Sequence, residues 1–414
     1  MRATLLCALP AAFVLFSLPS IGADDPQLVH ARALLKHAIL IDGHNDLPWA
    51  VRSYAAAPGD IVAYDLRMRA PGQTDLPRLK QGGVGAQFWS VYIPGEGSGN
   101  FARMQLEQID LARRIIKRYP ETLRLARSVQ EIRAAHAAGR IASLLGMEGG
   151  QGIENSLGAL RAYYDLGVRY MTLTHNTHTD WADSAAESPP RHHGLTPFGE
   201  DVVREMNRLG MLVDLSHTSV ETMQDALRVS RAPVIFSHAA AKALCDVPRN
   251  VPDDVLRELG RNGGVMMVTF VSGFIDPEVA RVTGPAIAEF NRRARTTTTE
   301  AERTALYKEV ILSLKLPVTT VARVADHVEH VRDVAGIEHV GLGGDFDGSS
   351  FLIEGLTDVS MYPNLFAELL RRGWSDHDLE LLAGENLLRA FAQAERIAAQ
   401  LQTSTPASMA QFRP

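Results

Sequence analysis

Short apolar runs recur along the chain, and between them apolar residues return every three or four positions. The runs are Ala38–Asp42, Val84–Tyr92, Ile141–Met147, Tyr170–Thr174, Leu212–Leu215, Val234–Phe236, Gly264–Phe270 and Val340–Gly343. They read as buried strands. The periodic segments between them include Arg103–Arg118, Val129–Ala138, Leu157–Leu166, Gly199–Leu209, Glu221–Ser230 and Asp253–Arg261, and read as helices. Ser128-Val129-Gln130-Glu131 has the spacing of a reciprocal N-cap. Strand–helix alternation of this kind predicts an α/β fold, a parallel (β/α)8 TIM barrel in a single domain. An open doubly wound sheet would want a Gly-rich phosphate loop after its first strand, and Gly43-His44-Asn45-Asp46 is not one.

Two long excursions break the rhythm, from Arg52 to Gly83 and from Val271 to Pro317. Insertions after barrel strands lie at the active-site mouth, so both are lid candidates, with peripheral helical decoration as the alternative.

Composition narrows the class. The chain has 414 residues, 46% hydrophobic and 22% charged, the balance of a globular protein. Its net charge of −6 comes from interspersed acids and bases, which leaves no basic face for nucleic acid. Residues 1–23 read as a signal peptide: Arg2, an apolar stretch from Leu5 to Leu18, then small residues up to Ala23. The expected mature domain is 24–414, exported, periplasmic or secreted, and soluble. Cys7 leaves with the leader, so Cys245 alone forms no intrachain disulfide. The polar C-terminus, Ser404 to Pro414, carries no hydrophobic tail for a glycolipid anchor.

The candidate chemistry lies where the apolar runs end. His44 and Asp46 follow the first run; if that run continues as a strand, they point to the same side. Glu148 follows the third run, and His175, His217 and His238 end the fourth, fifth and sixth. Asp345 and Asp347 end the eighth. In a barrel, residues just past the C-terminal ends of different strands converge on one cup. His44, Asp46, Glu148, His217 and His238 offer three imidazoles and two carboxylates, more than one tetrahedral ion with an open position uses. A bridging Glu148 would let two ions share the set. Imidazole and carboxylate without thiolate suit zinc first, then manganese or cobalt. Such a pair would present a bridging hydroxide to an electrophile. Asp345 is free to carry the proton to a leaving amine, and His175 to donate to the developing oxyanion. Arg249 is placed either to dock a substrate carboxylate or to form a surface ion pair. Together these groups describe hydrolysis of an amide beside a free carboxylate.

These motifs resemble the membrane (renal-type) dipeptidase family of metallopeptidases, among the amidohydrolase-like barrels. The resemblance runs from about Ile41 to Phe391 and rests on ordered motifs. They are Ile41-Asp42-Gly43-His44-Asn45-Asp46, Glu148-Gly149-Gly150, Tyr170-Met171-Thr172-Leu173-Thr174-His175-Asn176, Trp181-Ala182-Asp183 and His193-Gly194-Leu195-Thr196-Pro197-Phe198-Gly199. Asp214-Leu215-Ser216-His217, Phe236-Ser237-His238, Arg249-Asn250-Val251-Pro252-Asp253 and Gly343-Gly344-Asp345-Phe346-Asp347-Gly348 complete the set. The resemblance implies two zinc ions, one on His44, Asp46 and Glu148, the other on Glu148, His217 and His238. It implies His175 and Arg249 as substrate contacts and Asp345 as the proton shuttle. It also implies dipeptides with free termini, tolerance of a D-residue at the C-terminal position, and a homodimer. Animal members carry a lipid anchor and disulfides; their absence here favours a soluble bacterial form. The alternatives are another amidohydrolase, such as an N-acyl-amino-acid deacylase or a β-lactam-opening enzyme, and an inactive barrel used for binding. Many deacylase relatives bridge their metals with a lysine after the fourth strand, and Thr172-Leu173-Thr174-His175 holds none.

Overall fold

The computed structural model describes residues 25–95, 99–294, 296–297 and 299–413; the expected leader, 1–23, lies outside them. Among the described residues nine strands form one parallel sheet: β1 (Leu40–Asn45), β2 (Val84–Ser90), β3 (Leu123–Leu125), β4 (Ile141–Glu148), β5 (Val168–Thr172), β6 (Leu212–Asp214), β7 (Ile235–Ala239), β8 (Val265–Val268) and β9 (Val340–Leu342). β1 pairs with both β2 and β9, and β2 pairs with β4 from Ala86↔Ala142 to Ser90↔Gly146. Those pairings close eight strands into the expected (β/α)8 barrel. Every predicted run contributes one of the eight, with boundaries moved by at most three residues.

β3 is the addition. It pairs with Ile141–Ser143 of β4, whereas β5 takes over from Leu145. Since β2 occupies the other edge of β4 over this stretch, β3 extends the β5 side where β4 begins.

The strands other than β3, of which only Leu123 is buried, are buried along their whole length, which is why they read as continuous apolar runs. Side-chain alternation divides the core. On β4, Leu145 and Met147 pack outward with the helices, while Ala142 and Leu144 pack inward with Ile41, Phe88, Tyr170, Ile235 and Met267. Leu387, Leu388 and Phe391 of the last helix (Asn386–Ser404) join the inner cluster beside Ile39, where β1 begins. Gly146 continues the inward row of β4, and a Cβ there would lie 2.0 Å from Tyr170 Cζ. Only glycine lets that ring cross the lumen. Glu148 is next in the same row, at the opposite end.

The cap at Ser128 is half as expected. Its hydroxyl accepts from Glu131 N at 3.1 Å, but the Glu131 carboxylate reaches Arg127 N, one residue before the cap.

Both excursions clasp the loop after β9. In the first, Gln73 N donates to Asp347 Oδ1 at 2.6 Å, and Asp347 N donates to Gln73 Oε1 at 2.7 Å. The second holds the helices Ser272–Ile275, Pro277–Ala294 and Glu300–Val310. Its Val271 and Ile311 form a small core with Phe351, and the Tyr307 and Ser350 hydroxyls lie 2.6 Å apart. The second excursion is thus helical, as decoration would be, yet sits at the mouth, as a lid would. Among the described residues no helix is long and apolar enough to cross a membrane.

Candidate metal centre

Glu148 ends β4 with its carboxylate inside the barrel, and its two oxygens face different partners. Oε2 lies 3.3 Å from His44 Nε2 and accepts from Ser90 Oγ at 3.1 Å. Oε1 lies 3.1 Å from His217 Nε2, 3.6 Å from His238 Nε2 and 3.7 Å from His175 Nε2.

His44 and Asp46 do converge, with 3.1 Å between Nε2 and Oδ2, but strand alternation is not the cause. β1 stops at Asn45, and Asp46 is the N-cap of the helix Leu47–Arg52. Between Asp42 and Asn45, β1 spends three steps where β2 spends two. That extra residue is a bulge, which re-aims side chains. β7 repeats the device: three steps from Phe236 to Ala239 face two on β8, and His238 sits inside that irregularity. His238 therefore lies within its strand, not beyond it as the sequence suggests.

His217 follows β6 with φ of 67°, and Asp345 follows β9 with φ of 59°, backbone angles in the left-handed region. The Asp345 amide donates to His44 O at 3.1 Å, and its Oδ1 lies 4.0 Å from His44 Nε2. Arg249, on the loop after β7, is buried and donates from Nη2 to His238 O at 2.6 Å. Among the described residues its Nε and Nη1 have no hydrogen-bond partner. It is therefore not a surface ion pair. The His175 ring centre lies 4.3 Å from that of His217, tilted, and 4.8 Å from that of Tyr92, edge-on. Asp347, equal to Asp345 in the sequence pattern, turns away to Gln73.

Several contributing residues carry no signal of their own in the sequence. Ser90 touches Glu148, and Tyr170 lies with its hydroxyl 2.8 Å from His44 Nδ1. Both lie on the inward rows of their strands, and that row is the signal that would have found them.

Burial disfavours charge on His44, but Tyr170, Glu148 and Asp46 outweigh it and hold its pKa well above the ordinary value. Burial likewise works against the Glu148 carboxylate and is overcome by His44, His175 and His217, so its pKa falls well below the usual range. Burial, with Arg249 nearby, pushes His217 and His238 well down. Neutral His217 and His238 beside an ionised Glu148 are the protonation states a metal requires, whereas His44 holds a proton that a cation would displace.

Ligand atoms in three groups lie within 4.8 Å of one another among the described residues: His44, Glu148 and His238; Glu148, His175 and His217; His44, Asp46 and Asp345. Among the described residues Asp46 Oδ1 is buried without a hydrogen-bond partner, and two imidazole nitrogens, on His217 and His238, face each other at 2.9 Å. Imidazole nitrogens and carboxylate oxygens crowded this closely in a buried pocket are the arrangement a shared cation suits. The donor set fits divalent metal.

The family model for membrane dipeptidase, peptidase family M19, matches residues 28–405. The chain belongs to this family. It is thereby a metal-dependent dipeptidase in kind, a hydrolase. It is 42% identical over 389 residues to dipeptidase verJ of Clonostachys rogersoniana, covering 91% of this chain and 90% of that one. It is 43% identical over 382 residues to dipeptidase 3 of Rattus norvegicus, covering 90% of this chain and 69% of that one. Among solved structures, the probable dipeptidase PvdM from Pseudomonas aeruginosa superposes with a TM-score of 0.77 at 24% identity, over 90% of this chain and 99% of that one. That likeness speaks for the fold.

Proposed function

We propose that this member is a binuclear zinc dipeptidase that cleaves dipeptides with free termini. The observation that carries the reading is the division of Glu148, with Oε2 towards His44 and Oε1 towards His217 and His238. A carboxylate so divided suits a bridge between two ions, with Asp46 completing the first set. When bound, zinc would supply an activated water and polarise the scissile carbonyl.

The chain's own groups provide the rest. Arg249 keeps Nε and Nη1 for a substrate carboxylate, a fork that matches it in shape and charge. His175 stands beside the cluster to donate to the carbonyl oxygen as it gains charge. Burial, with Asp46 and Glu148 close by, pushes the Asp345 pKa well above the carboxylate range. Asp345 is thus suited to take up a proton and release it to the leaving amine. Tolerance of a D-residue at the C-terminal position rests on the family resemblance alone. So does a homodimer, while export of the 24–414 domain rests on the signal-like residues 1–23.

The test is metal content of the purified chain together with hydrolysis of L-L and L-D dipeptides. Two zinc ions per chain and cleavage are expected. Two ions with no dipeptide cleaved would overturn the proposed activity, and a single ion would overturn the bridge.

A further inference from the structure

Asp214, the last residue of β6, is fully buried and surrounded by donors. Oδ1 accepts from the amides of Ser216 at 3.1 Å and Ser237 at 2.8 Å. Oδ2 accepts from Thr172 Oγ1 and Ser237 Oγ, both at 2.6 Å. The two amides can only donate, and the two hydroxyl contacts have the short length of charge-assisted bonds.

Ser237 has one hydroxyl proton. Asp214 Oδ2 at 2.6 Å takes it in preference to Ser216 Oγ at 3.3 Å. The same Ser237 oxygen lies 2.9 Å from His238 Nδ1, and with its proton committed it can only accept there. Nδ1 then carries the hydrogen of the neutral ring, and Nε2 is bare. Nε2 is also the atom that faces Glu148 Oε1 at 3.6 Å. The bulge in β7 makes the relay feasible, because adjacent strand residues would otherwise point to opposite faces.

We propose that Asp214 is a positioning residue which, through Ser237, fixes His238 in the Nδ1–H tautomer and leaves Nε2 free to ligate metal. The inference rests on the metal reading above. Asp214 touches neither substrate nor metal in this role; it acts on the ligand's proton.

Nitrogen-15 spectra of the metal-free full chain at neutral pH, with His238 assigned from a His238→Asn variant, report the tautomer directly. The wild type is expected to show Nδ1–H, Ser237→Ala a mixture, and Ser237→Thr, which keeps the hydroxyl, the wild-type form. Zinc affinity measured against a chelator should fall about 10–100-fold in Ser237→Ala and in Asp214→Asn, and no further in the double variant. A wild-type Nε2–H tautomer would overturn the proposal, as would Ser237→Ala with unchanged tautomer and affinity. If Asp214→Asn does not fold, the Ser237→Ala and Ser237→Thr pair decides alone. A wild type that binds no divalent ion overturns the metal reading instead, a result distinct from either tautomer outcome.

Discussion

The Tyr170 hydroxyl lies 2.8 Å from His44 Nδ1 and 3.2 Å from the Gly43 carbonyl, to which it donates. With its proton so placed, the phenol oxygen accepts from Nδ1–H, and His44 presents Nε2 to Asp46 and Glu148. A core tyrosine thus sets the orientation of an imidazole at the mouth, and Gly146 makes room for its ring.

Tyr170→Phe removes that acceptor from a buried imidazole N–H and that donor from the Gly43 carbonyl. The cost is about 1–3 kcal/mol, read as a lower urea midpoint. Metal affinity should fall about 10–100-fold, measured by chelator competition. A Phe variant with wild-type affinity would show that Tyr170 only fills space.

The barrel was legible because its strands are buried on both faces and so appear as unbroken apolar runs. β3 was not, because Leu123–Leu125 is three residues long, carries Arg124 in its middle and pairs only with the start of β4. At the site, His44, Asp46, Glu148, His175, His217, His238, Arg249 and Asp345 stood out as chemistry-bearing residues near strand ends, and the fold brings them together. What the pattern hid were the bulges at His44 and His238, which break the two-residue period that sequence reasoning relies on. It also hid Ser90, Tyr170, Asp214 and Ser237, which look like ordinary strand residues until their partners are seen. Asp345 and Asp347 share a motif, and contacts from a distant loop, Gln73 among them, separate their roles.

Arg249 should govern recognition of the substrate's carboxylate. Arg249→Ala is expected to lower kcat/KM for a free-acid dipeptide about 10–100-fold, the worth of one or two charged hydrogen bonds, chiefly through KM. The same peptide with an amidated C-terminus should lose far less, since it offers no charge to the guanidinium. Equal losses on both substrates would point to Arg249 as a support for His238 O, to which it donates.

Asp345→Asn keeps the backbone bond to His44 O and a side chain that tolerates a φ of 59°. The variant should retain both ions, measured by elemental analysis, and lose about 10²–10⁴-fold in kcat, the usual worth of a positioned acid–base group. Loss of an ion would instead make Asp345 a ligand, in keeping with its grouping beside His44 and Asp46. Normal turnover would remove it from the proton path.

His327 links stability to pH away from the centre. On the helix Val321–Ala335, its Nδ1 accepts from Ala241 N at 3.0 Å and its Nε2–H donates to Ile275 O at 2.9 Å. That tautomer ties the loop after β7 to the start of the second excursion. Burial is the main cause that pushes its pKa down from 6.5 to about 4. The unfolded chain therefore binds the proton first, and stability must fall as pH drops from 6.5 towards 4. The loss approaches about 3 kcal/mol at the lower end. A His327→Gln variant lacks this titration, so it should be less stable than wild type at pH 7, with the gap shrinking as the pH falls to 4. Urea midpoints of the two metal-free proteins across that range measure the gap, and ionisations common to both cancel in the difference. A gap that stays constant with pH would mean that His327 is not held neutral by the fold.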